Sequence, residues 1–324
     1  MFYDIRERLN KLRAVNIIIG GRGIGKTYSA LRFVIEQKKP FIYLRNTDIQ
    51  MQESATFFGN PFKRLNKDFG WNVTIEAEKR HYMIYDDSGE DRQLIGYGAA
   101  LSTFANLRGV DLSDVVYVVF DEFIERRKLA FKQFDAFHSF YETVNRNREL
   151  LGEKPLCCIL LSNSQTLQND ILSGYGLIDT IVKMTERGER MHVTKDLFLE
   201  LPTVDVSQMK ADTAAYRLAA GTNIAREAIE NEFAYDSFRN VKKLPIKEFV
   251  PVCTYDNIVF YRHKSKNQIY ACQIPTFGGD RYEKENRLAF LKEVGLYLRE
   301  YAIRGKMFYS SYEVKIAVDT VFAL

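Results

Sequence analysis

Two short strings in this sequence carry residue types that can do chemistry together. The first is Gly20-Gly21-Arg22-Gly23-Ile24-Gly25-Lys26-Thr27, which fits G-x-x-x-x-G-K-[ST] in full. Its glycines let successive backbone N–H groups turn inward as an anion nest, which a Cβ would obstruct. A helix opening there would add its N-terminal dipole. Lys26 is then expected to reach the β- and γ-phosphates of a nucleotide, and the Thr27 hydroxyl to ligate Mg²⁺. The bland alternative is a glycine turn; the apolar run before it and the helical pattern after it favour the nucleotide. The second string is Val115-Val116-Tyr117-Val118-Val119-Phe120-Asp121-Glu122. An apolar strand delivering an acid at its end is a Walker B element, with Asp121 expected in the Mg²⁺ shell. Glu122 has no packing reason to follow it, and a second carboxylate there can orient and polarise an attacking water. A solvated strand end with two acids is the competing reading.

Weaker candidates follow. Asn145-Arg146-Asn147-Arg148-Glu149 closes a Phe-rich helical pattern. Its arginines either complement the helix dipole or include an arginine finger, inserted into a neighbouring subunit's site. Ser162-Asn163 ends the apolar run from Cys157, as a turn or helix N-cap or as a sensor of the γ-phosphate. Arg108 and the run Arg126-Arg127-Lys128 flank the Walker B strand, as solvated charge or as contacts to a nucleic-acid backbone. His81, His138, His192 and His263 share no metal-like spacing and read as ordinary histidines. The four cysteines form no C-x-x-C, so neither a zinc site nor a disulfide framework is signalled.

These residues need a frame to hold them. At 324 residues, the chain suits two domains. Apolar runs at Val15–Gly20, Pro40–Arg45, Val115–Phe123 and Cys157–Leu161 alternate with helical patterns at Thr27–Gln37 and Leu129–Asn145. That alternation predicts an α/β fold with a mainly parallel sheet and loops gathered along one edge. Trp71–Asp86 reads as a hairpin, Met191–Leu201 as a further strand, and Met1–Arg13 as an amphipathic helix with Phe2, Ile5, Leu9 and Leu12 on one face, not a signal peptide. No run approaches the ~20 apolar residues that span a bilayer, so no membrane partner is expected. The boundaries read as an ATPase domain over 1–207, a helical linker or lid over 208–239 and an α+β domain over 240–324. The last has strands at Phe249–Cys253, Ile258–His263 and Gln268–Ile274, then a helix from Tyr282 to Ala302 with Leu288, Leu291, Val294, Leu298 and Tyr301 inward. Net charge is +4, and 240–324 holds fourteen basic against nine acidic residues. That excess allows a surface facing a polyanion, or a solvated basic face.

The string Ile19-Gly20-Gly21-Arg22-Gly23-Ile24-Gly25-Lys26-Thr27-Tyr28, then Phe41-Ile42-Tyr43-Leu44-Arg45, Val119-Phe120-Asp121-Glu122-Phe123-Ile124, Asn145–Glu149 and Leu161-Ser162-Asn163 together resemble the DNA-packaging (encapsidation) ATPase of phi-29-like tailed phages. The resemblance covers the first two hundred residues and fades after Gln208. It implies a terminase-type ASCE ATPase that binds ATP with Mg²⁺. Such proteins form a ring, usually a homopentamer, on the portal of a procapsid and translocate double-stranded DNA. The place of action implied is the host cytoplasm and, transiently, the portal vertex, not the mature virion. The resemblance makes Arg146 the trans-acting finger and Asn163 part of the coupling motif. It adds Tyr28 to the nucleotide-binding string Gly20–Thr27. It implies an RNase H-like C-terminal domain without a working nuclease, joined in some members to the portal by a structural RNA. Asp256 and Asp319 are too few for a two-metal nuclease site. This sequence reads Arg45-Asn46-Thr47-Asp48 where the type member is more basic, so DNA contact is assigned instead to Arg108 and Arg126–Lys128. A terminase with a live nuclease, another ring-forming translocase or helicase, and a nucleotide-binding assembly scaffold remain as alternatives.

Overall fold

Every residue of the strand Val15–Ile19 (β1) is buried, as a strand covered on both faces requires. A computed structural model of the chain describes residues 2–78, 81–107, 111–125, 129–163, 166–204, 209–225, 229, 233, 236–273 and 279–323. In chain order β1 is followed by the helix Lys26–Glu36 (α1), the strand Phe41–Arg45 (β2), and the helices Asp48–Ser54 (α2) and Lys63–Phe69 (α3). Next come the strands Val73–Glu78 (β3), His81–Asp86 (β4), Gln93–Ala100 (β5) and Tyr117–Asp121 (β6). The helix Gln133–Asn145 (α4), the strand Cys157–Ser162 (β7), the helices Asp170–Gly174 (α5) and Ile178–Arg187 (α6), and the strands Met191–Val193 (β8) and Leu197–Glu200 (β9) follow. The nine strands lie in the order β3-β4-β5-β2-β6-β7-β1-β9-β8. From β5 to β9 every neighbouring pair is parallel, and β3–β4 and β8 add antiparallel edges.

This order decides the function of the strand ends. β7 lies between the P-loop strand β1 and the strand that carries Asp121. Parallel strands bring their C-terminal ends to one edge, so Gly20, Arg45, Asp121 and Ser162 emerge side by side. β5 was not expected from the sequence. Its Gly96, Gly98, Ala99 and Ala100 are poor strand formers in isolation. Tertiary packing selects them: a Cβ on Gly96 would lie 2.4 Å from the Phe41 carbonyl oxygen, and one on Gly98 would lie 2.6 Å from the Met51 methyl. The strand expected at Met191–Leu201 divides into β8 and β9, broken by the turn at Thr194. The helix expected from Leu129 begins only at Gln133, and Phe140 joins Phe137 and Val144 in its buried face.

The start of the chain is also a correction. Residues Ile5–Lys11 form a 3₁₀ helix, in which the α-helical face does not persist: Ile5 is buried, but Phe2 and Leu9 are exposed. Tyr3, not counted in that face, is buried and donates its N–H to the Ile24 carbonyl at 2.9 Å.

The chain divides into two compact units, residues 1–174 with 184–235, and residues 175–183 with 236–324. In the first, the short helices Ala214–Leu218 and Asn223–Ala225 lie in the segment expected to be a helical linker. The second is α+β, with a five-stranded sheet of Phe249–Tyr255, Ile258–His263, Ile269–Cys272, Asp280–Tyr282 and Met307–Tyr309. The long helix expected there is interrupted by a π-helical turn at Leu291–Gly295. The widened turn shifts the helical phase, and Leu288, expected inward, is 73% exposed. The last strand and the helix Tyr312–Phe322 were not anticipated. No helix among the described residues is long and apolar enough to cross a membrane.

Candidate functional site: a P-loop facing two strand-end acids

The P-loop connects β1 to α1. Gly23 (φ 68°) and Gly25 (φ 99°) adopt left-handed backbone, which explains glycine at both positions. Gly25 caps α1 without a side-chain hydrogen bond, leaving the first turn's N–H groups available to an anion. Ile24 is fully buried and anchors the loop; its carbonyl receives Tyr3. The Lys26 ammonium donates to the carbonyls of Gly20 and Gly21, both at 2.8 Å, and to Asn163 Oδ1 at 3.2 Å. Asn163 is thus brought to the site by β7, while the Ser162 carbonyl accepts the Gly20 N–H at 3.1 Å. The Arg22 carbonyl accepts from the Lys210 ammonium. The Tyr28 hydroxyl donates to Asp68 in α3 at 3.0 Å.

Across the gap, the Thr27 hydroxyl donates to Asp121 Oδ1 at 2.8 Å. The Tyr43 hydroxyl donates to Asp121 Oδ2 at 3.1 Å. Burial pushes the Asp121 carboxyl above its ordinary value, while Arg45, Thr27 and Tyr43 pull it back toward the ionised form. Arg45 Nη1 lies 3.3 Å from Asp121 Oδ2, and Nη2 lies 2.7 Å from Glu122 Oε2. The Arg45 Nε is buried without a hydrogen-bond partner among the described residues. β6 ends at Asp121 because Glu122 has left-handed backbone (φ 54°), which turns its half-exposed side chain out of the strand.

Buried amides hold that turn. Asn46 Nδ2 donates to the Glu122 carbonyl at 3.0 Å and to the Phe123 carbonyl at 3.3 Å. Gln133 Nε2 donates to Asn46 Oδ1 and to the Phe123 carbonyl, both at 2.6 Å. Gln133 Oε1 in turn accepts from Asn169 Nδ2 at 2.7 Å. Sequence reading missed Tyr43, Arg45, Asn46 and Gln133. The available signal was position: a Tyr, an Arg and an Asn within four residues at the end of an apolar strand.

The arginines after α4 separate cleanly. Arg148 is buried and donates to the Ser113 carbonyl at 2.6 Å, tying the turn to the approach of β6. Arg146 is half-exposed, and its Nη2 lies 3.5 Å from Asp111 Oδ1. α4 has carried it to the opposite edge of the sheet from Asp121. The strand rise from Val115 to Asp121 corresponds to roughly 20 Å. Arg108, Arg126, Arg127 and Lys128 lie outside the described residues. Lys284 pairs with Asp256 at 3.1 Å and Lys315 with Asp319 at 2.5 Å, on separate elements. His263 fills a structural role, its Nδ1 accepting from the Ser265 and Lys266 N–H groups.

A parallel sheet with a P-loop, a hydroxyl–carboxylate pair and a following glutamate at one edge defines a P-loop motor-type α/β fold. Residues 1–272 match the model of the Podovirus DNA encapsidation protein (Gp16) family, and the chain belongs to that family. It is a phage DNA-packaging protein. The chain is similar to the DNA packaging protein of Bacillus phage PZA, with 26% identity over 75% of this chain and 69% of that protein. Its similarity to the DNA packaging protein of Bacillus phage B103 is 29% identity over 69% of this chain and 66% of the relative. The fold is similar to that of a chain in the bacteriophage Phi-29 viral genome packaging motor assembly, with a TM-score of 0.69 at 20% identity over 99% of this chain and 98% of the other. It is also similar to the Phi-28 gp11 DNA packaging motor, with a TM-score of 0.63 at 19% identity over 100% and 98%.

Proposed function

We propose that this protein hydrolyses ATP with Mg²⁺ and, as a homo-oligomeric ring, drives double-stranded DNA through a portal into a procapsid. The observation that carries the reading is the 2.8 Å contact of Thr27 with Asp121. It places a neutral oxygen and a carboxylate together, the donor set that suits Mg²⁺ beside phosphates. Thr27 and Asp121 would hold the ion, which neutralises phosphate charge when bound. Gly20–Thr27 would wrap the phosphates in backbone N–H groups. Lys26 would exchange its loop carbonyls for β- and γ-oxygens, and Asn163, its present partner, would register that exchange. Glu122 would accept a proton from the attacking water once it leaves Arg45. Arg146, remote from its own chain's acids, would serve the next subunit's site. The reading takes Arg108 and Arg126–Lys128 as phosphate contacts to DNA, and the 240–324 region as a vestigial nuclease that adapts the motor to the portal, with a structural RNA as a further partner. A ring of five and action at the portal in the host cytoplasm belong to the same proposal.

Lys26→Ala is expected to abolish ATP hydrolysis, and normal turnover in that variant would refute the reading. Glu122→Gln is expected to bind ATP and retain it unhydrolysed, measured by nucleotide content after gel filtration. Arg146→Ala and Glu122→Gln should each be inert alone and recover hydrolysis when mixed. ATP-dependent protection of DNA from nuclease by matched procapsids tests the packaging step itself.

A further inference from the structure

We infer that the turn after α4 is a docking knob, Leu150 and Leu151 beside Arg146, which seats on the nucleotide edge of a second copy of this chain. The inference rests on the proposed trans-acting role of Arg146 and names the surface that delivers it. Leu150 is 85% exposed and Leu151 is 74% exposed. They are neighbours on a single 3₁₀ turn, Glu149–Leu151, with Arg146 a few residues before them. Single exposed leucines are ordinary, but an adjacent pair on a rigid tip beside an outward arginine is an apolar anchor with a charged companion.

The tip is held in place by buried polar groups. Asn145 Oδ1 accepts the Leu156 N–H at 2.7 Å across the base of the turn. Arg148, nearly buried, fixes the turn to the Ser113 carbonyl. The Leu151 N–H donates to the Asn147 and Arg148 carbonyls, both at 3.0 Å, and Gly152 closes the turn in left-handed backbone. A loop braced in this way loses little conformational freedom on docking, which is the condition for a small apolar contact to bind well.

Charge and polarity on the opposite edge of the sheet identify the occupant. There Glu122 is about half exposed, and Asp121 and the phosphate cradle lie beside it. Ile49, in the first turn of α2 and four residues beyond Arg45, is 77% exposed. With nucleotide bound, the second edge thus offers an exposed isoleucine beside Glu122 and a polyphosphate, complementary to leucines beside an arginine. The two surfaces lie on opposite edges of one sheet, so the contact is head-to-tail and propagates from copy to copy until a ring closes.

Complementary variants test the pairing, with assembly read by mass photometry in the presence of ATP and DNA. Leu150→Asp/Leu151→Asp and Ile49→Asp should each fail to form rings, with DNA-stimulated hydrolysis reduced by at least about tenfold. Their mixture should give dimers but no rings, because only one productive interface remains. Thermal unfolding and nucleotide binding like the wild type's exclude misfolding, and Leu151→Ser supplies a milder variant with the same expected direction. Rings of wild-type size and activity from the leucine variant overturn the knob. A mixture that stays monomeric overturns the pairing with Ile49. Recovery of hydrolysis in the separate Arg146→Ala and Glu122→Gln mixture would leave the trans-acting reading standing in either case, and its absence would remove that reading instead.

Discussion

Arg45 answers two carboxylates with one guanidinium, and its side chain is only 13% exposed. Removing it would leave the buried Asp121 beside Glu122 without its cation, a loss on the order of 3 kcal/mol when one partner of a buried pair is deleted. Arg45→Ala should therefore lower the thermal midpoint, and the deficit should shrink in Mg²⁺-ATP, where the ion replaces the missing positive charge. A deficit unchanged by ligand would show that Arg45 acts elsewhere. In the proposed mechanism, the Arg45–Glu122 pair would open before Glu122 could meet the attacking water. Sequence reading found Lys26, Thr27, Asp121 and Glu122 because their motif fixes both type and spacing. It missed Arg45 and Asn46 because their partners lie 76 positions or more along the chain, and only strand order makes them neighbours.

Short elements do the positioning. The N-terminal 3₁₀ segment fastens the P-loop from behind, with Asp4 capping it by accepting the Arg6 N–H at 3.0 Å and the Ser29 hydroxyl at 3.3 Å. The hydrogen bonds from Arg6 hold the Asp4 carboxyl at about 2, below its ordinary 3.8. A folded-state value below the unfolded one stabilises the protein above the ordinary value and loses that contribution as pH falls toward 2. Asp4→Asn keeps a capping oxygen but loses the charged pair with Arg6, and should cost up to about 1 kcal/mol at neutral pH; the gap between variant and wild type should close between about pH 4 and pH 2. Melting curves across that range decide it, and a gap independent of pH would count against the Asp4–Arg6 pair. At this scale periodicity identified α1, β1, β2 and β7 because their buried faces are continuous. It failed for β5, whose glycines are selected by the backbone and side chains beside them, and for the C-terminal helix, where a π turn resets the phase.

Across the whole molecule, one sheet separates the phosphate loop and the strand-end acids at its C-terminal edge from an exposed arginine at the other. In the proposed ring, that separation would make the site a shared one. DNA gripped through phosphates should bind without sequence preference and weaken steeply with salt. Arg126→Ala/Arg127→Ala should reduce the slope of log affinity against log salt by roughly 2, one unit for each phosphate no longer neutralised. An unchanged slope in a filter-binding titration would exclude those two residues from the grip.

The sequence by itself determined the nucleotide loop and the pair of strand-end acids, because phosphate binding and water activation dictate residue type at short, local spacing. It also determined the alternating α/β plan, since a buried parallel strand must be apolar on both faces. Tertiary structure alone decided that β7 stands between the loop and Asp121, carrying Asn163 to Lys26. It decided that Arg45 links both acids, and that Arg148 is braced inside while Arg146 stands outside. Strand order and the edge a helix returns to are set by long-range packing, which local spacing does not encode.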